Sequence, residues 1–269
     1  MRNCVLTVII LFACGYLHSQ EMSFKKTITQ DSVHFSILNH IYTPVEVTLT
    51  AQDSVKSYIR IKEYFMIESL DTVPKILSLP IERIKDTSSI TLSRYVTIKA
   101  VMGDPNNSQH DIEYRYALPY SKGKKYKVIQ AFGGSFSHNT IRAKYAVDFK
   151  LNIGDTVCAA REGIVVRSKD RFTESGGRDY IDKANHVDIL HQDGTLASYV
   201  HLDHKGVLVA PGDFVDKGQP IGISGNTGFS TTPHLHFVVR TARNISVPMT
   251  FEGYKQGSLI KGQKYKRKK

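Results

Sequence analysis

Short alternating runs of polar and apolar residues, separated by glycine-rich turns, constrain the fold of this chain more than any other feature. Successive side chains of a strand point to opposite faces, so a run such as residues 45–50 can bury one face and expose the other. Long helical periodicities are rare, and 14 Tyr and 12 Phe add residue types that favour strands. The pattern therefore predicts an all-β protein.

Two β domains follow from how these runs are spaced. Residues 21–120 contain short alternating runs broken by turn clusters, which predicts an N-terminal β-sandwich-like domain. A basic stretch at 121–125 marks the boundary. In residues 121–245, apolar runs of four to six residues alternate with Gly-rich turns, which predicts a compact, largely antiparallel β-sheet domain. Its predicted strands are 146–149, 164–167, 187–190, 198–202, 221–224 and 235–240.

The first 20 residues have the pattern of an export signal. Arg2 precedes an apolar run, residues 5–12, that is too short to span a bilayer, and polar residues follow. This predicts a signal peptide at 1–20 and an exported protein that is periplasmic, envelope-associated or secreted. A lipoprotein is an alternative, because residues 11–15 loosely resemble a lipobox ending at Cys14. A buried N-terminal strand is a second alternative.

The chain is basic, with a formal net charge of +11. Residues 261–269 contribute six of the positive charges and no acid, so we expect residues 246–269 to form a basic, solvated tail. Such a tail is attracted to anionic cell-wall or envelope surfaces. It lacks the interleaved aromatic residues of a nucleic-acid module, and no specific nucleic-acid binding is predicted.

Histidines are concentrated in the second half of the chain, where seven of the 11 follow residue 130. In the segment PHLHF, His234 and His236 would share one face of a strand, about 7 Å apart. Leu235 and Phe237 would pack into the core on the other face. Two adjacent imidazoles of this kind can divide metal binding and substrate contact between them.

Two neighbouring segments extend this pattern. Alternation predicts that Tyr199 and His201 face one way, and that Val200 and Leu202 face the other. Asp148 stands among apolar residues on another predicted strand. A carboxylate in such surroundings is costly unless it is paired or bound to a metal.

Residues 130–240 resemble the lysostaphin-type, or LytM-like, zinc endopeptidases. The resemblance rests on segments that occur in the same order as in that family, and it covers under half of the chain. These segments are AVDF at 146–149, GDTVCAA at 154–160, NHVDI at 185–189, HQDGT at 191–195, YVHL at 199–202, GDFV at 212–215, KGQPIG at 217–222, SGNTG at 224–228 and PHLHF at 233–237.

The resemblance implies one Zn²⁺ per chain, with Asp148 and His236 as ligands and His201 and His234 as catalytic histidines. Many members carry another ligand four residues before the aspartate, where this chain has Lys144. A protonated ammonium cannot ligate a metal. We therefore expect His138, ten residues before Asp148, to be the third ligand, as in members with a longer spacing.

The function implied by the resemblance is hydrolysis of peptide cross-links in bacterial peptidoglycan, with peptidoglycan peptides as substrate. The alternative is a non-catalytic LytM-like protein that binds the wall or activates another wall hydrolase. His186 with Asp188, His191 and His204 are expected to be structural or loop residues. No HExxH helix, phosphate-binding loop or paired-Cys zinc pattern is present in the sequence.

Overall fold

The computed structural model describes residues 21–254 and 259–268, so the predicted signal peptide lies outside the described residues. The described part contains 23 strands and no α-helix, which confirms the all-β prediction. No helix in this part is long and apolar enough to cross a membrane. Its four 3-10 helices are Ile81–Arg83, Leu92–Arg94, Arg178–Tyr180 and Ala242–Asn244.

The first compact unit ends at Met102 and consists of two antiparallel sheets around one core. Its sheets follow the orders β1-β2-β6-β4 and β5-β3-β7. Apolar residues at alternate positions, such as Val33, Phe35 and Ile37, are buried between them, as a β-sandwich requires. The strands are β1 (Met22–Ile28), β2 (Ser32–Asn39), β3 (Val45–Ala51), β4 (Arg60–Ile61), β5 (Tyr64–Ile67), β6 (Thr72–Pro80) and β7 (Val96–Met102).

The second unit begins at Gly103 and is built on a nine-stranded antiparallel sheet. The main path is β17-β12-β14-β15-β20-β10-β9-β23, and β21 pairs with β20. The strands of this unit are β8 (Arg115–Tyr116), β9 (Lys125–Gln130), β10 (Val147–Phe149), β11 (Thr156–Cys158), β12 (Gly163–Lys169), β13 (Ser175–Gly176), β14 (His186–Leu190), β15 (Leu196–Val200), β16 (Leu202–Val207), β17 (Phe214–Val215), β18 (Pro220–Ser224), β19 (Gly228–Phe229), β20 (Leu235–Thr241), β21 (Ile245–Ser246), β22 (Thr250–Phe251) and β23 (Lys264–Lys266).

The boundary between the units differs from the predicted linker at 121–125. Residues before the linker already belong to the second core, where Tyr116, Leu118 and Tyr120 are buried with the strands of the main sheet. The Tyr120 hydroxyl donates a hydrogen bond to the Tyr265 carbonyl. The predicted turn stretch therefore lies within the second unit, because the apolar side chains that precede it pack there.

The basic C-terminal segment also differs from the expected solvated tail. β23 pairs with β9 at the edge of the main sheet, and Tyr265 is buried. Arg267 is buried as well, and its Nη1 donates to the Tyr120 carbonyl at 2.7 Å. Described residues of the tail are thus held by strand pairing and by a buried guanidinium, and they form part of the fold.

Candidate metal centre and active site

Neighbouring strands of the main sheet bring Asp148 and His236 together. Asp148 on β10 lies directly opposite His236 on β20 in the antiparallel register. Leu235 and Phe237 are fully buried in the core, so the intervening His236 points to the other face, as alternation predicted. Its Nδ1 lies 2.8 Å from Asp148 Oδ1.

The loop between β9 and β10 delivers His138 to the same point. The loop folds back on itself through backbone hydrogen bonds, from Gly133 N–H to the Lys144 carbonyl and from His138 N–H to the Gly134 carbonyl. His138 Nε2 lies 3.2 Å from Asp148 Oδ1 and 3.3 Å from His236 Nδ1. One potential ligand atom from each of these three residues lies within 4.8 Å of the others.

The protonation pattern of His138 shows that this cluster suits a cation. Its Nδ1 lies 3.0 Å from the Ala131 carbonyl, which can only accept, so Nδ1 carries the hydrogen. In the neutral ring, Nε2 is then an unprotonated acceptor that faces the Asp148 carboxylate. Two acceptors at this distance require a proton or a metal cation between them. Two imidazoles and a carboxylate form a ligand set of catalytic zinc sites.

The electrostatics of Asp148 agree with this arrangement. Burial by itself would raise the pKa of Asp148, but the adjacent rings of His138 and His236 outweigh burial and hold that pKa well below its usual range. Burial lowers the pKa of His236, against the opposing effect of Asp148. The aspartate is therefore ionised, and His236 favours its neutral form, which can offer a lone pair to a metal.

His201 reaches the site through an unusual backbone conformation. It stands between β15 and β16 with a φ of 69°, in the left-handed region that non-glycine residues rarely adopt. This reverses the predicted direction: Tyr199 is buried in the core, whereas Val200 and His201 line the cleft. The prediction that Tyr199 and His201 share a face was wrong, because regular alternation ends at Val200.

His201 is held as a neutral acceptor. Its Nδ1 donates to the Thr227 carbonyl at 2.7 Å, which leaves Nε2 unprotonated. Burial lowers the pKa of His201 to about 3, and the neighbouring His234 and His236 act in the same direction. The ring is therefore neutral near neutral pH.

His234 adopts the same tautomer beside it. Its Nδ1 donates to the Thr232 carbonyl at 2.8 Å, and its Nε2 lies 3.9 Å from Asp148 Oδ1. The ring centroids of His201 and His234 are 4.6 Å apart. Both rings line a cleft of about 470 Å³ that also contains Asp148 and His236. Each ring is thus held through Nδ1 by a backbone carbonyl, beside the cluster of His138, Asp148 and His236.

Some contributors to the site were not predicted. Gln130 Nε2 donates to Asp148 Oδ2 at 3.1 Å and to Ser137 Oγ at 2.7 Å, fixing the second carboxylate oxygen. Phe136 and Phe229 stack at the cleft with centroids 5.7 Å apart. No local motif marks these residues, since their roles depend on an irregular register between β9 and β10 and on two separate loops.

The remaining candidates lie elsewhere. The Lys144 ammonium lies 5.5 Å from the Tyr145 ring centroid, and the residue does not line the cleft. Asp188 accepts hydrogen bonds from Arg167. His191 is buried against Thr195, and His204 is an exposed residue of β16.

Comparisons with known proteins place this geometry in a family. The model of peptidase family M23 matches residues 142–248, which include Asp148, His201, His234 and His236. The chain carries an M23 peptidase domain. The matched segment starts after His138. The third residue of the metal-binding group, His138, therefore lies in the loop that precedes the match. The resemblance to lysostaphin-type enzymes is thereby confirmed.

Curated relatives match the M23 domain over short segments. The chain is 43% identical to lysostaphin of Staphylococcus simulans over 94 residues, which are 35% of this chain and 17% of the relative. It is 36% identical to the peptidoglycan DD-endopeptidase ShyA of Vibrio cholerae over 108 residues, 38% of this chain and 23% of ShyA. An uncharacterized metalloprotease of Buchnera aphidicola is 33% identical over 129 residues, 46% of this chain and 31% of the relative. The chain spans less than a third of the length of each.

Proposed function

We propose that the M23 domain is a zinc-dependent endopeptidase that hydrolyses peptide cross-links of bacterial peptidoglycan. The observation that supports this most is the convergence of His138, Asp148 and His236, with His201 and His234 beside them at the open cleft. A binding protein without catalysis would not need two further imidazoles held by backbone carbonyls beside the same point.

The three ligand residues fit zinc in number and type. Catalytic zinc sites use three protein ligands and keep one position open. Bound there, the ion supplies Lewis acidity that polarises a peptide carbonyl and activates water. Gln130 fixes the Asp148 carboxylate and the Ala131 carbonyl fixes the His138 tautomer, and such supporting contacts orient ligands in metal sites.

His201 and His234 are the proposed catalytic histidines. Each has Nδ1–H held by a backbone carbonyl, so each can accept a proton at Nε2 from the attacking water. The protonated ring can then donate to the developing oxyanion or the leaving amine. General acid–base catalysis of this type contributes about 10²- to 10⁴-fold.

The proposed substrate comes from the relatives. One is named a peptidoglycan DD-endopeptidase, and lysostaphin also matches over the same region. Peptidoglycan lies outside the cytoplasmic membrane, so this function requires export. We propose that residues 1–20, which have a signal-like sequence, direct this export. The alternative is a lipoprotein that is anchored through lipidation of Cys14.

The test is the zinc content of the purified chain, measured together with hydrolysis of isolated cell walls. We expect about one zinc per chain, loss of hydrolysis on chelation and recovery on adding Zn²⁺. Stoichiometric zinc without release of wall peptides would favour the non-catalytic alternative. Absence of zinc binding would contradict the metal site itself.

A further inference from the structure

Four lysines share one face at the edge of the main sheet. β9 and β23 pair so that Lys264 lies opposite Lys127, and Lys266 lies opposite Lys125. Directly opposite residues of antiparallel strands point to the same face, with Cβ atoms about 5 Å apart. All four residues are exposed, whereas the intervening Tyr265 is buried. We call these four residues the lysine face.

The lysine face is unfavourable for the fold by itself. Like charges directly opposite each other on a sheet are destabilising. No acid in the described part of the chain forms an ion pair with any of the four. The structure nevertheless holds the outer strand firmly: the Tyr254 hydroxyl donates to the Lys266 carbonyl and accepts from its N–H. An anionic ligand would offset the repulsion.

The lysine face leads into the cleft. Ile129 and Gln130 at the end of β9 line the cleft, and Lys127 and Lys125 precede them on the same strand. Alternate residues share a face at steps of about 7 Å. Lys261, just before β23, also lines the cleft. The cations therefore form a track that begins at the metal-binding cleft and runs outward along two paired strands.

The cleft is also lined by positively charged side chains. Arg142, Arg178 and Lys261 line it, and Asp148 is the one carboxylate among its described lining residues. Asp148 already contacts the imidazoles of His138 and His236. Cationic side chains thus occur both in the cleft and on the lysine face.

We infer that the lysine face and the cleft bind a linear anionic polymer that runs along the track. Ammonium groups pair with carboxylate and with phosphate oxygens, so either repeated group fits this chemistry. A linear chain can follow the track into the cleft, whereas a flat membrane against the lysines would cover the cleft mouth. The inference concerns binding and goes beyond the proposed hydrolysis.

Binding of fluorescein-labelled poly-L-glutamate and labelled polyphosphate to the full chain tests this inference. The variant is Lys125→Gln, Lys127→Gln, Lys264→Gln and Lys266→Gln together. The matched control makes the same change at four exposed lysines of the first unit, which are Lys25, Lys56, Lys62 and Lys85. Both variants lose four charges from the formal +11, so any difference reports position rather than net charge.

We expect the lysine-face variant to bind at least one of the two polymers about 10-fold more weakly at low ionic strength, with a shallower salt dependence. The control should bind like the unmodified chain. The polymer that is affected more identifies the anionic group. The lysine-face variant should unfold at the same or a higher temperature, since it removes like-charge repulsion.

Equal weakening in both variants, or no binding to either polymer, would overturn the inference. So would binding to phosphatidylglycerol-containing vesicles that depends on the lysine face while neither linear polymer binds. These outcomes are separate from loss of wall hydrolysis, because each is read from binding alone.

Discussion

Two histidine–aspartate clusters lie on the same sheet, and only one of them suits a metal. On β14, Asp188 is buried with His186, whose Nε2 lies 4.0 Å from its carboxylate. Arg167 donates Nε–H and Nη2–H to that carboxylate at 2.8 and 2.6 Å. On β10, Asp148 lies within 3.9 Å of the imidazoles of His138, His234 and His236, and no guanidinium of the described residues pairs with it.

The difference lies in whether the cationic partner of the carboxylate can lose its proton. A guanidinium is always protonated and has no acceptor, so it permanently neutralises Asp188. An imidazole can lose its proton and offer a lone pair in its place. In one cluster the histidine and the aspartate share a strand, and in the other they lie opposite each other on paired strands. The first forms an ion pair with an arginine, and the second forms a set of metal ligands.

The largest effect should come from exchanging the two carboxylates for amides. Asp148→Asn should lose most bound zinc and nearly all wall hydrolysis, because two imidazoles alone hold zinc poorly. Asp188→Asn should keep stoichiometric zinc, since its carboxylate contacts Arg167. Metal analysis and hydrolysis of isolated walls measure both. Zinc retained by Asp148→Asn would remove Asp148 from the ligand set.

The β9–β10 loop should matter almost as much. His138→Ala should lose zinc, because its Nε2 is one of the three converging ligand atoms. Lys144→Ala should keep zinc and activity, because the Lys144 ammonium lies against the Tyr145 ring and is not one of the converging ligand atoms. Titration with Zn²⁺ followed by metal analysis compares the two variants. Equal zinc affinity in both would leave His138 without a role as ligand.

Loss of a catalytic histidine should affect rate without affecting metal content. His201→Ala and His234→Ala should each keep zinc and lower hydrolysis about 10²- to 10⁴-fold, since each removes a proton acceptor beside the ligands. The control is His204→Ala, on an exposed residue of β16. Full activity in either site variant would show that its proposed role is wrong.

The smallest effect concerns acid stability. Burial opposes ionisation of Asp188, but Arg167 outweighs it and lowers the pKa of Asp188 to about 2. A depressed carboxyl pKa stabilises the fold above the unfolded value of about 4, and that contribution of about 2 kcal/mol is lost as pH falls towards 2. Urea unfolding at pH 5 and pH 3 should therefore show a weaker pH dependence in Asp188→Asn. If the free energy of unfolding fell by the same amount between pH 5 and pH 3 in both proteins, this origin of acid sensitivity would be contradicted.

Strand periodicity predicted the side of the sheet that His236 faces, whereas the ligand roles of Asp148 and His236 came from the family resemblance. Alternation placed Leu235 and Phe237 in the core and hence His236 on the other face, and a carboxylate among apolar neighbours singled out Asp148. His138 required chemical reasoning about Lys144, since no periodic pattern spans the loop.

Other features depend on long-range or irregular geometry that a local pattern does not contain. The direction of His201 follows from one left-handed residue, and Gln130 reaches Asp148 where the register of β9 and β10 is irregular. The ordered C-terminal strand depends on pairing with residues far earlier in the chain. A run of lysines with one tyrosine has the composition of a tail, yet the buried Tyr265 and Arg267 anchor it.

The backbone of His201 has a consequence for engineering. A left-handed conformation costs an L-residue with a Cβ about 1–2 kcal/mol, and glycine adopts it freely. Glycine at this position would remove that backbone cost, but it would also remove the buried imidazole that donates to the Thr227 carbonyl and is the proposed proton acceptor. Libraries screened for heat resistance should be counter-screened for turnover here, because the two goals conflict at this one residue.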